Sequence, residues 1–139
     1  MNLPQSIELI EVGPRDGFQN IPEWIPTETK MEVIDLLAAS GFKKIELTSF
    51  VHPKAIPQMA DAAAVLSQTK QKHPALECIA LVPNLFGAKK AIEAGADAIT
   101  FVLSASEKHN LENTRQTVEQ SLQAFTEVCR IKGKTKVRL

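Results

Sequence analysis

Short, nearly continuous apolar runs alternate along this chain with longer stretches whose apolar residues recur at spacings of three and four. The runs at residues 7–12, 44–48, 76–82, 98–103 and 135–139 read as five strands. Two of them, LECIALV and AITFVL, are too continuously apolar for a sheet with one wet face, so buried parallel strands are expected. Helices fill the intervals. Pro26 and Thr27 introduce one that carries Met31, Ile34, Leu37 and Ala38 on a single stripe and stops at Gly41. Pro57 opens a second, reaching about Lys70, with Ala60, Ala63 and Leu66 or Ala64 inward. Asn84 is placed to cap a third, which packs through Leu85, Ala88, Ala91 and Ile92 and ends at Gly95. Thr117 and Gln120 have capping-box spacing for a fourth, with Val118, Leu122, Phe125 and Cys129 inward and Gly133 as its stop.

The order is therefore β-α-β-α-β-α-β-α-β. The joints AASGFKKIELT and AIEAGADAITF both run helix, glycine, short turn, strand, which is the rhythm of repeated right-handed βα units. No Pro-, Gly- or Ser-rich linker divides the chain. Two folds accept this rhythm: a doubly wound five-stranded sheet, complete at this length, and a (β/α)8 barrel, half present. The last run reaches Leu139 with no helix after it, which favours the barrel.

Composition narrows the class. The 139 residues are 44% hydrophobic and 23% charged, with sixteen basic and sixteen acidic side chains and no net charge. That balance argues against a nucleic-acid partner, which requires a basic surface. No apolar run approaches the roughly 20 residues of a membrane span. The N-terminus has no basic region before an apolar one, and a cytoplasmic location is expected. Cys78 and Cys129 are too few for a disulfide framework and are expected to be reduced core thiols.

In both folds ligands gather where parallel strands end, and here those ends are polar. The first leads into Gly13-Pro14-Arg15-Asp16-Gly17-Phe18-Gln19-Asn20, and the second holds Glu46 and Thr48 before Ser49 and His52. The third runs into Pro83-Asn84, and the fourth into Ser104-Ala105-Ser106-Glu107-Lys108-His109-Asn110. Asp16 suits a hard metal ion and Arg15 a substrate oxygen, although the two could equally form an ion pair that ties down a turn. Glu46, between Ile45 and Leu47, must be paired, hydrogen-bonded or beside a metal if it faces inward, in a functional site or a structural ion pair. His109 fits acid-base work, substrate binding or a plain loop. No compact zinc, Walker or nucleophile-elbow pattern is present.

Taken together, the Gly13 to Asn20 segment, Glu46-Leu47-Thr48-Ser49-Phe50 with Pro53-Lys54 and Pro57-Gln58-Met59, Pro83-Asn84-Leu85 with Gly87, and Ser104 to Glu107 with His109-Asn110 resemble the hydroxymethylglutaryl-CoA lyase family. The resemblance implies an α/β (β/α)8 TIM barrel, truncated here to about the first four βα units plus the start of strand five. Residues 1–139 would then be the N-terminal half of one domain. It implies metal-assisted cleavage of an acyl-CoA thioester, 3-hydroxy-3-methylglutaryl-CoA, to acetyl-CoA and acetoacetate.

By that resemblance Asp16 is a ligand of a divalent cation, Mg2+ or Mn2+, and Arg15 and Glu46 are catalytic. Arg15, Gln19, Ser49, Ser106 and His109 face substrate. Ile21 departs from the acidic residue the family often places there. The family's His-x-His pair, a further asparagine and a loop cysteine find no counterpart, so this chain alone is expected to be inactive. The resemblance leaves room for a homodimer of the full-length protein. Two rivals remain: a related condensing or carboxyltransferase enzyme, and a non-catalytic half-barrel assembly module.

Overall fold

The structure is a computed structural model and describes residues 3–139. Three parallel strands, β1 (Lys44–Ser49), β2 (Glu77–Val82) and β3 (Ala98–Phe101), pair in chain order. Five α-helices accompany them: α1 (Thr27–Ala39), α2 (Ala62–Lys72), α3 (Leu85–Glu93), α4 (Glu107–Thr114) and α5 (Val118–Lys132). Single parallel bridges extend the order at both edges, from Glu11 to Ile45 and from Arg138 to Ala98. The result is a partial, unclosed (β/α) barrel, the truncated barrel that the family resemblance implied.

One face of the sheet carries the core. Ile45, Leu47, Cys78, Ala80, Val82 and Ile99 pack there against Met31, Ile34, Val65, Leu66, Ala88 and Ala91 of the helices. Gly41 and Gly95, at φ of 100° and 92°, turn the chain from helix to strand in the two similar joints; that left-handed conformation comes without strain only to glycine. Gly87 is required for another reason. A Cβ there would lie 2.6 Å from the Phe50 carbonyl oxygen, so α3 can approach the end of β1 only without a side chain.

Several expectations need correction. The run at residues 7–12 pairs only at Glu11, and Ile7, Leu9 and Ile10 are 78%, 66% and 51% exposed. An apolar run becomes a ladder only where a neighbour supplies hydrogen bonds and cover, and this edge has a neighbour on one side. The run at 135–139 likewise reduces to the bridge at Arg138.

Pro57 opens a 3-10 turn (Pro57–Met59) instead of the helix itself. The later start at Ala62 turns Ala62, Val65, Leu66 and Thr69 inward and leaves Ala60 and Ala63 exposed. On α5, Ser121 and Val128 are buried while Leu122 and Cys129 are exposed. Ser121 is drawn in because its hydroxyl accepts from Asn110 Nδ2 at 2.7 Å, which rotates the helix about its axis. Cys129 is therefore not a core thiol. Finally, the polar stretch after the fourth run becomes α4, which buries only Asn110.

Candidate active site

The chain leaves the Glu11 bridge into a π-helical turn, Gly13–Gly17. The Val12 carbonyl accepts from the amides of Arg15 and Asp16, and Gly13 N–H donates to Glu11 Oε1 at 2.6 Å. Such wide turns recur at functional sites because they re-aim side chains. This one places Arg15 against a residue 31 positions away: Arg15 Nε donates to Glu46 Oε1 at 2.5 Å. Arg15 Nη1 donates to Asp16 Oδ1 at 2.6 Å, and Gln19 Nε2 reaches the same oxygen at 3.2 Å. Asn20 Nδ2 donates to the Asp16 carbonyl at 2.8 Å, closing the turn on itself.

Glu46 reaches this cluster from the middle of β1. Its side chain is only 7% exposed, and an isolated carboxylate there would cost several kcal/mol to bury. Two donors compensate: Arg15 on Oε1 and the Thr100 hydroxyl on Oε2, at 2.9 Å. Each Glu46 oxygen thus carries one donor, and the two bonds hold the carboxylate from opposite ends. The Arg15 guanidinium is gripped by two carboxylates through Nε and Nη1, which leaves Nη2 uncommitted among the described residues.

A β-bulge makes the arrangement possible. Glu46 pairs with Ile79 and Thr48 with Ala80, so Leu47 is an extra residue in β1. Glu46 and Ser49 are three apart and would otherwise point to opposite faces. The bulge brings both to the face opposite the helices, in register with Ile79 and Leu81. Ser49 is 1% exposed, and its hydroxyl is the buried side-chain oxygen left without a partner among the described residues. A polar atom buried unpaired costs on the order of 1–3 kcal/mol, so a ligand that bonds it gains an available donor.

Among the described residues no hydrogen bond joins the other candidates to this cluster. The Ser106 hydroxyl caps α4 by accepting from His109 N–H, and His109 itself sits exposed on that helix. Asn110 is buried and holds the Ser104 amide, the Gln116 carbonyl and the Ser121 hydroxyl, a structural keystone. Thr100 is the site residue that the sequence did not single out; a β-branched residue in an apolar strand looks ordinary. Two larger hollows, of about 430 and 450 Å³, open at the other end of the strands, beside Lys44 and beside Arg138, and do not mark the Arg15 cluster.

For a divalent cation the Arg15–Asp16–Glu46 cluster offers one carboxylate with an open oxygen, Asp16 Oδ2, on a side chain 56% exposed. No group of three His, Cys, Asp or Glu side chains gathers among the described residues. Mg2+ takes six oxygen ligands in octahedral geometry, so these residues do not by themselves fit the ion.

A family model described as HMGL-like matches residues 6–137. The chain belongs to that family, the hydroxymethylglutaryl-CoA lyases and their TIM-barrel relatives. It is 44% identical over 126 residues to a cytoplasmic 3-hydroxy-3-methylglutaryl-CoA lyase of Danio rerio, covering 91% of this chain and 37% of the relative. It is 39% identical over 139 residues to a Pseudomonas aeruginosa 3-hydroxy-3-isohexenylglutaryl-CoA/hydroxymethylglutaryl-CoA lyase, covering 100% of this chain and 46% of the relative. Among solved structures, an Acinetobacter baumannii HMG-CoA lyase in complex with coenzyme A and 3-methylmalate superposes with a TM-score of 0.86 at 44% identity. That match covers 94% of this chain and 43% of that one. The chain thus spans less than half the length of these relatives.

Proposed function

We propose that the whole protein is a hydroxymethylglutaryl-CoA lyase to which this chain contributes the Arg15, Asp16 and Glu46 part of the active site. The observation that carries the reading is the Arg15 guanidinium held between Glu46 and Asp16 where the parallel strands end. The reaction removes the proton of the 3-hydroxyl and breaks the C2–C3 bond of 3-hydroxy-3-methylglutaryl-CoA. C3 becomes the ketone of acetoacetate, and the bonding electrons pass to the acetyl-CoA enolate, which is then protonated. Charge grows on the thioester oxygen as the bond breaks. A fixed guanidinium with a free Nη2 is the group in this chain suited to meet it, because a preorganised donor need not reorient as the charge develops.

Glu46 holds Arg15 in place, Gln19 and Ser49 contribute hydrogen-bonding groups to the substrate, and Ser106 and His109 belong to the cavity wall. Asp16 is assigned as one ligand of a divalent cation, Mg2+ or Mn2+, whose role is to draw negative charge onto substrate oxygens. The remaining ligands come from outside these residues, and the 139-residue chain alone is inactive. A second reading is favoured by the Pseudomonas relative's name: the same cleavage of a thioester with a longer isohexenyl group at C3.

The test is cleavage of both thioesters by the full-length protein with Mg2+ or Mn2+. Arg15→Gln is expected to lower kcat by about 10²–10³-fold with a smaller change in KM, the size seen when one donor to a developing oxyanion is lost. No cleavage of either thioester by the unmutated protein overturns the reading, and an unaffected Arg15→Gln removes Arg15 from it.

A further inference from the structure

We infer that Thr100 is a positioning residue for Arg15, acting through Glu46. The inference deepens the lyase reading and rests on it for its kinetic consequence. Thr100 lies on β3, 54 residues from Glu46, in a strand whose neighbour Ile99 is buried in the helix-side core. Register places Thr100 opposite Leu81, and Leu81 opposite Ser49, so the three form one row across the sheet. Glu46, Ile79 and Ala98 form the row next to it. Glu46 reaches from its own row to the hydroxyl in the other, where Thr100 Oγ1 donates to Oε2 at 2.9 Å.

This second bond does what the Arg15 bond cannot do alone. The terminal torsion of a glutamate is broad, so a carboxylate held at one oxygen still pivots about its axis. Opposed bonds, from Arg15 on Oε1 and from Thr100 on Oε2, fix the carboxylate plane. The threonine is itself held twice, by strand register and by the restricted χ1 of a β-branched side chain. Orientation therefore runs from the sheet through the Thr100 hydroxyl and the Glu46 plane to the guanidinium, whose Nη2 stays open for an oxyanion. Thr100 is exposed in this chain, so water competes for Glu46 here; covering the concave face, as a complete barrel does, strengthens the bond.

The experiment compares Thr100→Val, which keeps the shape and loses the donor, with Thr100→Ser, which keeps the donor, in the full-length protein. Kinetics, thermal midpoint and the Arg15 Nε–H resonance by NMR are measured for each. Thr100→Val is expected to lower kcat by about tenfold or more with KM within about twofold, as mispositioning of a catalytic group does. It is also expected to shift the Nε–H signal, while Thr100→Ser restores both and both midpoints stay near the parent value. An unchanged kcat or an unmoved Nε–H signal in Thr100→Val overturns the inference. So does Thr100→Ser failing as badly as Thr100→Val, or both variants losing thermal stability alike. If the unmutated protein cleaves neither thioester, the lyase reading falls by itself. The Nε–H signal then decides the Thr100 role alone: a shift in Thr100→Val, reversed in Thr100→Ser, supports it, and no shift overturns it.

Discussion

At the scale of single residues, environment separates side chains that the sequence treats alike. Cys78 and Cys129 are the clearest pair. Cys78 lies in β2 with its thiol in the core, and burial, reinforced by the nearby Asp97 charge and only partly relieved by Lys70, pushes its pKa up to about 12. Cys129 sits on the exposed side of α5. Alkylation requires thiolate and access, and Cys78 has neither near neutrality. Treating the folded chain with iodoacetamide at pH 8 is therefore expected to modify Cys129 alone, with Cys78 reacting only after denaturation. Mass spectrometry of the digested protein reads the result directly, and prompt labelling of Cys78 in the folded chain defeats this account. Glu46 and Asp16 differ in the same manner. One is a buried carboxylate with both oxygens bonded, the other an exposed one with an oxygen to spare, so sequence could nominate both but not divide their roles.

At the scale of elements, much was legible because local chemistry and tertiary demand agree. Asn84 caps α3 by accepting from Gly87 N–H, Thr117 and Gln120 form a reciprocal capping box on α5, and Gly41 and Gly95 turn the chain where the joints required. What was not legible depends on partners distant in sequence. The bulge at Leu47 exists only in the pairing of β1 with β2, yet it decides that Glu46 and Ser49 share a face. Helix α4 shows no apolar stripe, since the residue it buries is Asn110.

The latch between α1 and α2 belongs to the same class. Lys30, 3% exposed, donates from Nζ to the Gln58 carbonyl and to Asp61 Oδ1, and lies 4.3 Å from the Trp24 ring centroid; Thr27 donates to the other Asp61 oxygen. Removing one partner strands a buried charge, whereas removing both does not. Asp61→Ala is expected to destabilise the fold by about 3 kcal/mol, and adding Lys30→Met to recover more than half of that. Urea unfolding followed by circular dichroism measures both. Losses that simply add show that the pair is no latch.

At the scale of the whole molecule, protection is unequal between the two faces and along the edges. The helix-side face buries Ile45, Leu47, Cys78, Ala80 and Val82 at 2% exposure or less, while residues 3–10 carry exposed Leu3, Ile7, Leu9 and Ile10 and are tied to the sheet by the backbone bridge at Glu11 and a surface ion pair from Glu8 to Lys44. Local opening free energy follows buried contacts and paired backbone, so the chain divides into regions that open separately. Amide hydrogen exchange is expected to show the amides that bond β1 to β2 exchanging only through global unfolding and residues 3–10 exchanging at close to unprotected rates. Glu46, which donates to the Glu11 carbonyl, and Arg138, which donates to the Asp97 carbonyl, mark the two edges and should fall between the extremes if edge bridges open without the sheet. The measurement belongs at two protein concentrations, because an apolar edge with unpaired backbone is also a template for another strand. Protection of residues 3–10 that rises with concentration means that copies of the chain cover this edge. Protection equal to that of β2 at every concentration contradicts the division, since a residue 78% exposed, as Ile7 is, has no packing to support it.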